Sequence, residues 1–131
     1  MTTFAYVVFV FPIAIIWHLV LFHEKFVTFG YFKGDPNIAI GLLTMIVQGA
    51  TIAMIYPNYR SKFSGLRHAL SFGMLVGVFY WSCHVLGLVA KQNVPLAWQF
   101  TLMETAYLVV QFAGASVILW LVYGDKPSRH H

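Results

Sequence analysis

The stretch ALSFGMLVGVFYWSCHVLGLVA, residues 69–90, is long enough and apolar enough to cross a bilayer, and His84 is its single residue that titrates near neutral pH. At about 100° per residue, Ala69, Gly73, Gly77, Tyr80, His84 and Lys91 fall within roughly one quadrant of a helix. Phe72, Leu75, Phe79 and Leu86 take the other side. Gly73 and Gly77 form a G-x-x-x-G pair, which lets another helix backbone approach closely. Ala69, Gly73 and Gly77 are therefore assigned to helix packing, and His84 lies on the face they clear.

Three further apolar runs surround this one. With 60% hydrophobic and only 9% charged residues, the 131-residue chain falls far below the roughly 25% charge of soluble domains. The expected fold is all-α: an integral membrane four-helix bundle forming a single membrane domain over residues 1–131, with spans at about 4–24, 38–56, 69–90 and 96–123. The first is read as a retained span because no basic segment precedes it and no small-residue cleavage site ends it. Pro12 is expected to kink it. Its helix is expected to run on through His23, Glu24 and Lys25. Pro57 and Asn58 are expected to end the second span.

The segments between the spans set the expected orientation. Phe26, Phe29, Tyr31 and Phe32 lead into Lys33, Gly34, Asp35, Pro36 and Asn37, an interfacial aromatic belt followed by turn chemistry. Trp98 and Trp120 read as interface anchors of the last span. Arg60, Lys62, Arg67, Lys126 and Arg129 lie on one side, and Lys25, Lys33 and Lys91 on the other. The excess places both termini in the cytoplasm. The net charge of +4 is accounted for by this rule. The basic residues form no stripe, so nucleic acid is not an expected partner. A single cysteine, Cys83, excludes an internal disulfide and C-x-x-C chemistry. His130 and His131, native or tag-derived, carry no functional inference.

Polar residues recur inside the spans in register. Val7, Phe11, Ala14, His18 and Phe22 share one face of the first helix. Gly41, Thr44, Gln48 and Thr51 form a stripe on the second. Phe100, Glu104, Tyr107, Gln111 and Ala115 form one on the fourth. Counting about 1.5 Å per residue from the non-cytoplasmic side, His18, Thr44, His84 and Glu104 each lie roughly 9 to 12 Å deep. Gln48, Tyr107 and Gln111 lie deeper along the same stripes. A carboxylate there needs a partner or a role, and an imidazole is the natural one, the two titrating as a unit near overall neutrality.

Several functions fit this layer. His18, Thr44, Gln48, His84, Glu104, Tyr107 and Gln111 are candidates for a ligand pocket or a proton relay. His18, His84 and Glu104 are candidates for a transition metal, or the two histidines for haem or a pigment. The same groups also serve as hydrogen-bonding glue between helices. The reading taken is a non-enzymatic subunit of a larger membrane assembly, or a small-ligand-binding module around the buried His/Glu layer. Its expected partners are the lipid bilayer and other membrane proteins or further copies of the chain. The alternative is a metal-, haem- or pigment-binding redox protein.

The layout is also similar to a bacterial group of uncharacterised four-helix membrane proteins, a domain of unknown function. The resemblance rests on Trp17, Leu21, Phe22 and Phe26, on Gly73, Gly77, Phe79 and Trp81, on Pro95, and on Glu104 early in the last helix. It implies the architecture and the bacterial inner membrane, and it assigns no activity. It does not extend to His18 or His84.

Overall fold

The computed structural model describes residues 1–60 and 65–124. It is helical, with no strand among the described residues. Four helices are long and apolar enough to cross a membrane: α1 (Thr2–Leu21), α3 (Ile38–Tyr59), α4 (Leu66–Lys91) and α5 (Ala97–Tyr123). A short helix, α2 (His23–Thr28), follows α1. In the backbone α1 packs on α3 and α5, and α4 packs on α5. Of the basic residues used for orientation, Lys62, Lys126 and Arg129 lie outside the described residues, as do His130 and His131.

Glycines set the closest helix contacts. A Cβ on Gly73 would collide with Ser116 Oγ and lie 3.0 Å from the Phe112 carbonyl, and one on Gly77 would lie 3.2 Å from the Phe112 ring. Ala69, Gly73 and Gly77 therefore face α5, and Ala69 is fully buried. On α3, a Cβ at Gly49 would come within 3.0 Å of the Tyr6 ring of α1. Small side chains let dispersion contacts form between helix backbones, which is how helices associate without a hydrophobic driving force.

Two boundaries depart from the sequence expectation. The first helix does not run on through Glu24: Phe22, at φ −124° and ψ 21°, breaks it, and α2 starts anew at His23. The second does not end at Pro57 but continues to Tyr59. Proline removes the N–H that would bond the carbonyl four residues back. Here that carbonyl, Ala53, accepts a hydrogen bond from the Tyr123 hydroxyl at 3.4 Å, so the turn is supported from α5. The start of α3 follows its turn chemistry, with Asn37 Oδ1 accepting from the Ile40 N–H at 3.1 Å.

The second-span stripe is also displaced. Gly49, Ile52 and Tyr56 are the buried positions of α3, while Thr44 and Thr51 are exposed. Each threonine donates to its own helix, Thr44 to the Ile40 carbonyl at 2.9 Å and Thr51 to the Val47 carbonyl at 2.8 Å. A hydroxyl satisfied in this way needs no partner inside the bundle. The inward face lies about one residue, some 100°, away from the polar one. Arg60, counted as a loop charge, is buried. It donates to the Tyr123 carbonyl at 2.8 Å and lies 5.6 Å from the Tyr123 ring centroid, capping the end of α5.

The core has two parts. Tyr6, Val10, Ile52, Tyr56, Ala69, Phe72, Ala115 and Leu119 fill the half nearer the termini. Phe26, Phe29, Val85, Phe100, Tyr107, Leu108 and Phe112 fill the other. Phe26 and Phe29, expected in an interfacial belt, are 0% and 2% exposed. The break at Phe22 turns α2 back, so their rings close over the bundle end against Phe100, at 6.4 and 5.8 Å between centroids.

Candidate functional site: a His–Glu–His cluster beside a cleft

Glu104 lies in the second turn of α5 and is fully buried. Its two oxygens face different helices. His18 Nε2, from α1, lies 3.1 Å from Oε2, and His84 Nε2, from α4, lies 2.9 Å from Oε1. A carboxylate this deep is retained only with its lone pairs satisfied. Here both imidazoles do so.

Each histidine sits in a widened helical turn. Ile16–Leu21 and Ser82–Leu86 are π-helical, and the Phe22 N–H reaches the Trp17 carbonyl five residues back at 3.1 Å. Such segments are single insertions in an α-helix and recur at functional sites. An insertion turns the residues after it by about 100° relative to those before. The helix can then keep its apolar packing below and still aim an imidazole at Glu104 above.

The hydrogen bonds fix a proton count. His18 Nδ1 lies 2.9 Å from the Ala14 carbonyl, which can only accept. Nδ1 therefore carries a proton, and the 3.1 Å contact between Nε2 and Glu104 needs another. That second proton is held by His18 or by Glu104, and in both cases the pair is neutral overall. His84 completes the group by donating from Nε2 to Oε1. The geometry places one proton between His18 and Glu104, with His84 bonded to the other carboxylate oxygen.

Aromatic and amide groups extend it. Tyr31, after α2, places its hydroxyl 3.5 Å from His84 Nε2 and its ring within 15° of parallel to His18. Burial pushes the Tyr31 phenol well above the usual tyrosine range, and the nearby Glu104 acts in the same direction. Its hydroxyl therefore stays protonated. Tyr80 stacks on His84 at 5.2 Å and accepts from Gln48 Nε2 at 3.5 Å. Tyr6 donates to Gln48 Oε1 and accepts from Gln111 Nε2, both at 2.8 Å. The Tyr107 hydroxyl is buried and has no partner among the described residues.

Of the sequence candidates, His18, His84 and Glu104 meet directly. Gln48 and Gln111 meet one layer deeper, and Tyr107 packs edge-on against His18 at 4.6 Å. Thr44 is not among them, since it faces outward. His23 is turned away and stacks on Phe32, and Cys83 is exposed. Tyr6 and Tyr31 were not singled out from sequence. Tyr80 was assigned only to the stripe, although its spacing of four from His84 was a usable signal.

His18, His84, Glu104, Tyr31, Tyr80, Tyr107 and Gln111 line a cleft of about 180 Å3, together with Pro36, Asn37, Ile38 and Gly41 from the start of α3 and the turn before it. A larger groove of about 420 Å3 runs between α4 and α5, but its walls are nearly all apolar. The geometry does not favour a metal ion shared by His18, His84 and Glu104. The two imidazoles address opposite oxygens of one carboxylate, which stands where a shared ion would sit. Among the described residues no group of three or more His, Cys, Asp or Glu side chains is disposed to hold a metal ion.

No family model, curated protein or solved structure matches the chain.

The chemistry visible at the site is that of its own side chains. They offer one proton held between imidazole and carboxylate, phenol donors around it, and a cleft beside it.

Proposed function

We propose that this chain is a four-span membrane protein, with both termini on the cytoplasmic side, that acts as a binding module for a small molecule. The ligand occupies the cleft walled by His18, His84 and Glu104. Following the resemblance to uncharacterised bacterial four-helix membrane proteins, we place it in a bacterial inner membrane. Membrane partners or further copies of the chain can assemble on its lipid-facing surfaces.

One observation carries the reading: Glu104, fully buried and bonded to a histidine at each oxygen, lies with both histidines in the wall of a cleft. Polar groups serving only as glue would be packed shut by the helices they join. His18 Nδ1 ends on a backbone carbonyl, which passes no proton on. A pocket open at one end suits binding better than conduction.

Native mass spectrometry of protein released from its host membrane tests this. Gly41 lines the cleft, and a Cβ there meets nothing within 4 Å, so Gly41→Trp adds bulk beside the cleft from a position that no neighbouring helix touches. Wild-type protein should carry a small-molecule adduct that Gly41→Trp lacks at unchanged thermal stability. A wild type without adduct, or an adduct retained by Gly41→Trp, would overturn the proposal.

A further inference from the structure

The walls of the cleft restrict what it can hold, and its opening restricts where the occupant comes from. The lining includes no Lys or Arg, so an anionic head would find no countercharge there. Both oxygens of Glu104 are engaged by histidines, which leaves no free carboxylate for an ammonium. The occupant is therefore uncharged. Tyr80 accepts from Gln48 and keeps its own hydrogen to donate, and Tyr31 likewise presents an O–H. These donors call for an acceptor oxygen.

Shape narrows the class further. The His18 ring lies within 15° of Tyr31, and the His84 ring within 30° of Tyr80. Two pairs of stacked rings present flat faces, which favour a planar head. At about 180 Å3 the cleft is smaller than the roughly 300 Å3 at which drug-sized pockets begin. It admits one substituted ring, and anything longer must project out.

The exit lies between helices. Gln48–Tyr80, Tyr59–Ser71 and the packing of Tyr56 and Tyr59 on Phe72 tie α3 to α4. Among the described residues, no hydrogen bond or ring contact joins them between Ile38 and Val47. Gly41 of α3 and His84 of α4 line the cleft at that level, and Ile40, Leu43 and Leu86 beside it are exposed. On the membrane reading proposed above, this gap opens into the bilayer.

We infer that the cleft takes the head of an uncharged lipid bearing a planar, carbonyl-containing ring, of the quinone class, admitted sideways between α3 and α4. The ring lies among Tyr31, Tyr80 and His84, with a carbonyl oxygen accepting from the phenols. Its tail leaves past Gly41. The inference concerns binding and rests on the cleft being a ligand site.

Decylubiquinone, a benzoquinone with a ten-carbon tail, is a suitable probe for the full chain in detergent. Decyl alcohol and decyl phosphate share the tail and lack the ring. The quinone should raise Tm saturably, and the other two should not. Tyr80→Phe, which removes one of the two phenol donors, should weaken quinone binding by up to about tenfold, the effect of losing one hydrogen bond. Gly41→Trp should abolish the shift while keeping the Tm of the unliganded protein. Equal shifts from the alcohol or the phosphate would overturn the quinone assignment, as would a shift that survives Gly41→Trp. No quinone shift, with a native adduct still found in the wild type, would overturn this inference alone. Absence of both would overturn the ligand site as well.

Discussion

His84 Nε2 and Glu104 Oε1 stand 2.9 Å apart across the α4–α5 contact. They are 20 residues apart in sequence, on either side of the Lys91–Leu96 connection. The bond forms because Gly73 and Gly77 bring the two helices together below it, and because the Ser82–Leu86 widening turns the imidazole toward the carboxylate. Packing and site are thus two ends of one interface.

Glu104→Ala should be far more damaging than Glu104→Gln. The first leaves two imidazoles without their acceptor, and breaking a buried pair on one side costs about 3 to 5 kcal/mol. The second keeps hydrogen-bonding capacity at both histidines and should preserve folding, while removing any pH dependence of ligand binding near neutrality. Thermal unfolding in detergent, with binding followed from pH 5 to 8, measures both. Equal destabilisation, or an unchanged pH profile, would reduce the carboxylate to packing.

Gly73 is the tighter of the two glycines on α4. Gly73→Ala meets the Ser116 side chain and the Phe112 carbonyl, whereas Gly77→Ala meets only the Phe112 side chain, from 3.2 Å, a tight contact that a ring shift of a few tenths of an ångström relieves. The expected order of Tm loss is Gly73→Ala above Gly77→Ala, with overpacking of about 1 to 3 kcal/mol at the first. Gly77→Leu should disrupt the bundle more than Leu86→Gly, because Leu86 is 46% exposed. A reversed order would mean that this stripe does not face α5.

The Pro57–Tyr123 relationship can be read by a double-mutant cycle. Tyr123→Phe should cost about 0.5 to 1.5 kcal/mol, much of it from the Ala53 carbonyl that loses its donor. In a Pro57→Ala background residue 57 supplies its own N–H to that carbonyl, so the cost should shrink. Strict additivity in thermal unfolding would show that the hydroxyl does not support this turn.

The widened turn of α1 is testable by shortening it. Deleting Ile16, which is 47% exposed, removes the extra residue and turns His18 by about 100° relative to the first helical turns. The variant should lose at least as much Tm as His18→Ala. A deletion tolerated better than that substitution would show that the π-segment does not aim the imidazole.

Much of this site was legible in the sequence because helical periodicity is regular. The α5 stripe Phe100, Glu104, Tyr107, Gln111 and Ala115 is buried at every position, and depth counting put His18 and His84 near Glu104. Three features were not legible. Thr44 follows the period but satisfies its hydroxyl locally, so polarity there carried no information about facing. The π-segments change the period itself, and a 100° wheel has no means of finding an insertion. The packing of Phe26, Phe29 and Tyr31 over the site depends on the break at Phe22, and aromatic residues near a helix end read equally well as an interfacial belt.

His18, Glu104 and His84 form one hydrogen-bonded unit with a proton between His18 and the carboxylate, and 15N NMR of histidine-labelled protein in lipid tests this most directly. At neutral pH, His18 should show a protonated Nδ1 bonded to Ala14, with Nε2 sharing a proton with Glu104, and His84 should be protonated at Nε2. A His18 with bare Nδ1 and a fixed Nε2 proton, unchanged in Glu104→Gln, would contradict it.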